Sequence, residues 1–459
     1  VLPPTIVKVS DTRQALLDCA AYYRQKYGEN LVRVGVSGSC GKTTVKEMIA
    51  QILALAGPTV YSPGNFNNEI GCPLSVFRID KDHRYGVFEI GASAPGEIGA
   101  PGTPKDARIP LRGTMWRYHP TRKVFEALSS GCTNPWGHDW DAHGELFFIN
   151  TVNGHLWHGI TGAHYVRPHT IDPNPRTYAL IDQHADHWHF DTASDWTKSR
   201  DGAADAFGGG HAHIGMMIYQ GDNWPAEYRG RLFTLNMHGR RVNQEILERK
   251  GSGYVGKHGP DFFIATDKWF RGMELTYGPD GGVYVADWSD TGECHDSTGV
   301  HRTSGRIYKI THCEPKRPAV TDLTKLSVNE LVHLHTHSNE WFVRQARLQL
   351  IERTGGQDTL KEAVMGLGMF SYRDKDTVHQ LRALWSLHAI LRNSGSVLWE
   401  KLSHPNEHIR AWAVRLLSET WALDTVMSET PRYAGVRLGA GAAPDPNLLK
   451  TLERMAKSD

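Results

Sequence analysis

The chain has 459 residues, ample for two to four domains with sizeable cores. Lys+Arg 51 against Asp+Glu 50 leaves a formal net charge of +1, which excludes the electrostatic footprint of a nucleic-acid binder and any strongly charged tail. Six cysteines without a CxxC or CxxCH spacing exclude a zinc ribbon, a thioredoxin-type motif, a c-type haem and a disulfide framework, and no run of about 18 apolar residues is available to span a bilayer.

The totals conceal one sharp break. None of the 14 Trp precedes Trp116, and of the 25 His only His83 lies before residue 100. An even spread would put roughly three Trp and five His in that first fifth. Such a shift indicates two segments of different origin. The opening "VLPPTIVKVSDTRQALL" has no charged run ahead of an apolar core, so no signal peptide is expected, and a start at Val1 suits a fragment.

In chain order, the first clear element is "LVRVGVS" (31–37), a β-branched apolar run that reads as a buried parallel strand. "GKTTVKEMIAQILALAG" follows with apolar residues at helical spacing and ends at Gly57. Between them lies Gly38-Ser39-Cys40-Gly41-Lys42-Thr43-Thr44. Glycines there let backbone N–H groups close around phosphate oxygens, and the helix N-terminus adds partial positive charge. Lys42 is placed to neutralise β- and γ-phosphates, and the Thr43 hydroxyl to ligate Mg²⁺. Val36 stands where the general G-x-x-x-x-G-K-[ST] pattern has its first glycine.

Two further stretches, "SPGNFNNEIGCPLSVFRI" (62–79) and "YGVFEIGASAPGEIG" (85–99), follow in order. With "GVSGSCGKTTVKEM" they closely resemble the Mur ligases, in particular those that join D-alanyl-D-alanine to the UDP-N-acetylmuramoyl-tripeptide. The resemblance covers residues 1–98. It implies an enzyme that uses ATP and Mg²⁺ to activate a carboxylate as an acyl phosphate, which an amine then attacks. By resemblance, Gly38, Ser39, Cys40, Gly41, Lys42, Thr43 and Thr44 bind ATP, while Thr43 and Glu89 hold Mg²⁺. Asn65, Asn67 and Asn68 then face the nucleotide-sugar substrate; plain turn chemistry is the alternative for them. Three strands are expected, at 31–37, 58–61 and 85–91. Nothing later in the chain matches the family's remaining strands, its modified lysine, or its C-terminal domain. The cradle is present, but the ligase around it is incomplete.

"GAPGTPKDARIP" (99–110) is a Gly/Pro-rich connector. Beyond it the texture becomes short strands and turns. "DWDAHGELFFIN" (139–150) and "YGPDGGVYVADW" (277–288) share an Asp/Gly turn before a strand, and "RGRLFTLNMHG" (229–239) and "SGRIYKITH" (304–312) share a Gly-Arg start. Four-strand units recurring at about 40–60 residues indicate the blades of a partial β-propeller. Residues 100–312 resemble the propeller of membrane-bound dehydrogenase-like proteins of planctomycetes and verrucomicrobia, related to quinoprotein glucose/sorbosone dehydrogenases. The stretches that carry this include "WRYHPTRKVFEALSSGCTNPWGHDWDAHGELFF" and "GSGYVGKHGPDFFIATDKWFRGMELTYGPDGGVYVADWSDTGECHD". The resemblance implies sugar or alcohol oxidation with pyrroloquinoline quinone (PQQ), outside the cytoplasm, and Asn134 as a quinone contact. The family's Arg before that Asn is Thr133 here.

Thirteen histidines lie from His138 to His258. His187 and His189, and again His211 and His213, would place two imidazoles on one face of a strand, open to a metal pair. Packed or hydrogen-bonded histidines at blade edges are the preferred reading, and spacing locates no third ligand. Asp287, Arg271, Asn236 and His238 fall at strand ends and are candidate site residues, against turn-stabilising roles.

From "TDLTKLSVNELVHLH" the period changes to 3.6. "NEWFVRQARLQLIERTG" (339–355), "LRALWSLHAILRNSG" (381–395) and "HPNEHIRAWAVRLLSET" (404–420) read as amphipathic helices, with Ile409, Trp412, Ala413, Leu416 and Leu417 on one face. The pattern resembles HEAT repeats, which offer a surface for a protein partner. His333, His335 and His337 read as solvated.

The whole is multidomain: a partial α/β P-loop segment at 1–98, a connector at 99–110, a partial β-propeller at 111–312 and HEAT-like helices at 320–459. It reads as a chimera, with a mis-joined or truncated frame preferred over a working fusion. The functions weighed are an ATP-dependent ligase, a PQQ-type dehydrogenase and a non-enzymatic scaffold. The ligase segment implies the cytoplasm and the dehydrogenase-like segment the periplasm.

Overall fold

In the computed structural model the described residues are 8–36, 42–64, 66–68, 70–90, 113, 115–119, 124–152, 154–167, 177–189, 208–210, 212–289, 291, 304–315, 317–318, 320–353, 357–391, 394–421 and 444–458. The chain divides into two units, one within Val1–Leu111 and the other within Arg112–Thr430 and Arg437–Asp459. The connector 99–110 lies outside the described residues, as do Gly38–Gly41.

The first unit begins where the Asp11 carboxylate accepts the Arg13 and Gln14 backbone N–H groups, capping helix α1 (Thr12–Tyr27). Strand β1 (Val32–Val36), helix α2 (Lys42–Ala56), strand β2 (Thr59–Tyr61), the short helix α3 (Gly71–Val76) and strand β3 (Tyr85–Glu89) follow. The three strands pair in parallel in the order β1-β3-β2. They match the expected strands to within two residues at each end. Burial differs from expectation. Only Val36 of β1 is buried, and Val32 is 57% exposed, because β1 is an edge of this sheet rather than an interior strand. Leu31, Val60, Ile79 and Phe88 form one small core, and Val36, Ala50 and Val87 another beneath α2.

In the second unit the strands form antiparallel hairpins and meanders. β4 (Trp116–His119) pairs with β5 (Val124–Ala127). β6 (Pro135–Trp140), β7 (Leu146–Asn150) and β8 (Leu156–Gly159) make a second sheet. β9 (His213–Ile218), β10 (Leu232–Asn236), β11 (Arg241–Lys250) and β12 (Gly253–His258) follow in sequence order across a third, and β13 (Phe263–Ile264) also pairs with β11. β14 (Gly272–Tyr277), β15 (Val283–Asp287) and β16 (Arg306–Ile310) complete a fourth. Phe147, Ile149, Leu156, Met216, Ile218 and Leu232 pack across the second and third sheets. Both expected Asp/Gly turns are present: Gly144 N–H donates to Asp141 C=O, and Gly281 N–H to Gly278 C=O.

Helices α4 (Val328–His333), α5 (Glu340–Arg353), α6 (Gln357–Arg373), α7 (Thr377–Ile390), α8 (Gly395–Lys401), α9 (Glu407–Leu417) and α10 (Pro446–Ser458) complete the unit. α5 and α9 fall inside two of the three stretches read as helical, and α7 overlaps the third, starting four residues before it. A capping box, Ser327 with Glu330, starts α4, and Asn406 caps α9. The helices dock on the β6–β7 turn. Trp412 Nε1 donates to His143 C=O at 2.7 Å, and Glu145 accepts from Arg415 and lies 3.0 Å from His158 Nε2. Burial alone would raise the Glu145 pKa; His158 and Arg415 outweigh it and hold it at about 2. Gly144 has φ +77°, and a Cβ there would lie 2.6 Å from the Trp385 and Trp412 rings, so only glycine admits this dock.

One expectation is corrected by this packing. His335 is not solvated but fully buried, with Nδ1 donating toward the Leu331 and Val332 carbonyls and Nε2 2.7 Å from Ser386 Oγ. The segment after α4 tightens into a 3-10 turn (Leu334–Thr336), which swings His335 inward while His333 stays exposed. His337 is half-buried, and its Nδ1 accepts the Asn339 N–H.

Burial, with the charges of Arg347 and Arg382 nearby, lowers the His335 pKa to about 3 from 6.5. The folded state therefore binds fewer protons than the unfolded state between those values, and the stability present at neutral pH is lost as pH falls through that window. His335→Gln keeps a donor and an acceptor but does not titrate. We expect its urea midpoint, read by Trp emission, to fall less between pH 7 and 5 than that of the wild type. Parallel curves for the two proteins would disprove this.

Candidate functional site

The first unit brings three elements to one point. Glu89 ends β3, Thr43 opens α2, and Ser62–Asn68 leads from β2 toward α3. Glu89 is only 1% exposed. Its Oε2 accepts the Thr43 hydroxyl at 2.8 Å and its Oε1 accepts Asn67 Nδ2 at 2.8 Å. Its backbone N–H donates to Ser62 Oγ at 3.1 Å. With a donor on each oxygen this buried carboxylate is fixed in direction.

Lys46 is the residue that sequence reading missed. It is fully buried, one helical turn after Thr43. Its ammonium donates to the Ser62 and Gly64 carbonyls at 2.7 and 2.6 Å and lies 3.9 Å from Glu89 Oε2 and 2.9 Å from Glu47 Oε1. The available signal was a lone lysine ahead of a mostly apolar helical run, "TTVKEMIAQILALA". Lys46 ties the β2–α3 loop to α2 and sets a positive charge behind the carboxylate.

Of the residues expected at the nucleotide, Thr43 and Glu89 are in contact. Gly38, Ser39, Cys40 and Gly41 lie outside the described residues, as do the side chains of Lys42 and Thr44. Among the expected substrate residues, Asn67 reaches Glu89, whereas the Asn68 carboxamide oxygen accepts the Ile70 and Gly71 N–H groups at the start of α3. Asn65 lies outside the described residues. The donor set suits Mg²⁺, a hard cation that takes oxygen ligands. Thr43 Oγ1 and Glu89 Oε2 are 2.8 Å apart, which matches the ~2.8–3.0 Å edge of an octahedron with 2.0–2.1 Å bonds.

In the second unit, Asn134 is exposed and its carbonyl accepts the Thr151 N–H. Asp287 accepts the Arg271 and Ser289 N–H groups and pairs with Arg306. The Arg271 guanidinium donates to the Lys268, Phe270 and Thr291 carbonyls. Asn236 spans Gly210 and Gly239, and His238 is buried. Asp287, Arg271 and Asn236 are thus held by partners within the protein.

His187 and His189 do not lie on a strand. They sit in an irregular segment that Leu156 and Gly256 hold through backbone hydrogen bonds to His184 and Asp186. The structure brings both imidazoles to His155 and Glu245, neither of which spacing could locate. His211 is outside the described residues, and His213 is buried beside the group. Burial, and after it the nearby His189, lowers the His155 pKa to about 4.

Comparisons with known proteins give two family matches that overlap at residues 87–103. Residues 36–103 match the Mur ligase middle domain, and residues 87–314 match a domain of unknown function, DUF7133. The UDP-N-acetylmuramoyl-tripeptide–D-alanyl-D-alanine ligase of Escherichia coli is 46% identical over 97 residues, 21% of each chain. The chain thus spans about a fifth of the length of the curated relatives it matches. MurF from Acinetobacter baumannii is 41% identical over 20% of each chain, with a TM-score of 0.19. The PQQ-bound aldose sugar dehydrogenase of Streptomyces coelicolor is 17% identical over 47% of this chain and 56% of its own, with a TM-score of 0.29. Among the described residues no helix is long and apolar enough to cross a membrane.

Replacing Lys46 by Met would leave the Ser62 and Gly64 carbonyls without this donor and Glu89 without its cation, at a cost of about 3 kcal/mol. Every Trp lies in the second unit. Far-UV circular dichroism should therefore show Lys46→Met losing helical signal at lower urea, with Trp emission as the internal reference. An unchanged dichroism transition would show that Lys46 carries no such load.

Proposed function

We propose that residues 1–98 form a Mg·ATP-binding segment of Mur-ligase type and that this chain does not complete the ligation. The observation that carries the reading is the Thr43–Glu89 contact at the start of α2, with Asn67 and Lys46 fixing the carboxylate. Backbone N–H groups of 38–44 and the α2 N-terminus would take the phosphates, with Lys42 adding a full charge. Thr43 and Glu89 would hold Mg²⁺, whose role when bound is to neutralise phosphate charge and favour attack on phosphorus.

Acyl-phosphate chemistry also needs the amine held in line and the developing charge clamped by further groups. In the described first unit the sheet ends after three strands, with β1 and β2 at its edges. Binding without turnover is the expected behaviour. The second unit, read as propeller-like sheets carrying HEAT-like helices, would then serve as scaffold, with the helices offering a surface to a protein partner.

The test is calorimetric titration of Mg·ATP into the full chain, beside Lys42→Ala and Glu89→Gln. Phosphate release is assayed with the tripeptide precursor and D-alanyl-D-alanine. We expect weak binding to the wild type, loss of binding in Lys42→Ala, loss of Mg²⁺ dependence in Glu89→Gln, and no phosphate release. Release that requires both substrates and disappears in Lys42→Ala would restore the ligase. No binding by the wild type would defeat the cradle.

A further inference from the structure

Four side chains distant in sequence converge in the second unit. His155 precedes β8, His187 and His189 lie in the irregular segment, and Glu245 is central in β11. One donor atom from each lies within 4.8 Å of every other. Glu245 Oε1 is 3.3 Å from His155 Nε2, 3.3 Å from His187 Nε2 and 3.2 Å from His189 Nε2. The His187 and His189 Nε2 atoms are 3.3 Å apart. A tetrahedral ion with ligand bonds of about 2.0–2.1 Å sets its donor–donor edges at ~3.3–3.5 Å. Four of the six edges of that tetrahedron are therefore already present.

Hydrogen bonding alone accounts poorly for this arrangement. It would crowd three N–H donors onto one carboxylate oxygen, at distances well beyond the ~2.7–2.9 Å of charge-assisted bonds. Glu245 Oε2, equally buried, has no partner among the described residues. It would also set the N–H dipoles of His187 and His189 side by side. Lone pairs converging on one cation remove both difficulties. Next to the group, His213 is 1% exposed, its ring centroid is 4.5 Å from that of His189, and neither of its ring nitrogens has a partner among the described residues. A buried imidazole with neither ring nitrogen bonded is costly.

The surroundings are those of a metal site. His187 Nδ1 lies 3.0 Å from Asp186 Oδ1, the carboxylate–imidazole brace that fixes a ligand's tautomer. The Gln183 carboxamide accepts the His155 N–H and donates to the His187 carbonyl, linking two ligands through one side chain. A Cβ on Gly208 would meet His189 Nδ1 at 2.3 Å, so glycine is what lets that ring reach the group. The His187 side chain is 21% exposed, which leaves an entry path.

We propose that His155, His187, His189 and Glu245 bind a divalent transition metal of the zinc type, which clips the segment 182–189 to β8 and β11. Three imidazoles and one carboxylate disfavour Ca²⁺ and Mg²⁺, which take oxygen ligands, and the tetrahedral edges favour Zn²⁺ over square-planar Cu²⁺. Four protein ligands close the coordination sphere, so the role is structural, and the ion stabilises the folded unit rather than performing chemistry.

The full chain is stripped with a chelator, dialysed and titrated with Zn²⁺ alone by calorimetry, while Trp emission follows melting. One Zn²⁺ per chain and a raised melting midpoint are expected, with no response to Mg²⁺ or Ca²⁺. His187→Ala and Glu245→Gln should each weaken Zn²⁺ binding by at least roughly 100-fold, and Asp186→Asn by about 10–100-fold. Exposed His312 provides the control, and His312→Ala should bind as the wild type does. If Glu245→Gln fails to fold, His187→Ala, which alters the most exposed of the four, decides. A stripped wild type that takes up no Zn²⁺ overturns the proposal, as does binding unchanged in His187→Ala.

Discussion

A carboxylate taken out of water must be surrounded by donors or cations, and each unit is organised around one that is. Glu89 is 1% exposed and Glu245 is fully buried. Either would cost several kcal/mol if left alone. The two are satisfied differently. Glu89 receives one donor on each oxygen and a lysine at 3.9 Å. Its donors come from the helix that follows the phosphate loop and from the loop after β2, so one carboxylate fixes both walls of the cradle. Glu245 concentrates three imidazoles on a single oxygen. The first pattern closes by hydrogen bonding; the second is closed by a cation.

What the sequence revealed follows the range of the interactions. α2 and the strands on either side of it were legible, since strand period, helical period and glycine punctuation are local. Thr43 and Glu89 were legible because the motif resemblance links two positions 46 residues apart that composition alone could not pair. Lys46 was hidden, because a lysine on a helix is ordinarily solvated and its burial depends on carbonyls turned inward at Ser62 and Gly64. The histidine group was half visible. The His187/His189 pair could be seen, but Glu245 is separated from it by two whole strands, β9 and β10. His335 was misread for a related reason: a 3-10 turn changes the facing of one residue in a way that a 3.6 period does not anticipate.

The two units also differ in how finished their surfaces are. The second buries long apolar runs, with Phe147, Ile149, Leu156, Ile218, Leu232 and Phe233 entirely covered. The first leaves Val32 57%, Ile52 65% and Leu55 91% exposed on β1 and α2. Those positions belong to the apolar pattern that marked the strand and the helix in the sequence. The two family matches overlap over residues 87–103, at the end of this unit.

This difference bears on what the cradle can do. Phosphate recognition needs only a loop, a helix start and a carboxylate, all local to β1, α2 and β3. Catalysis needs those groups held rigidly against substrate from other domains. Among the described residues of the first unit β1 and β2 each have one strand neighbour and β3 has two, so Lys46 and Glu89 carry much of the local rigidity. A polar pair can fix the direction of two side chains. On the function proposed above, the hold on Mg·ATP would lie with residues 38–44 and Glu89, and transfer would need further groups to bring the amine in line.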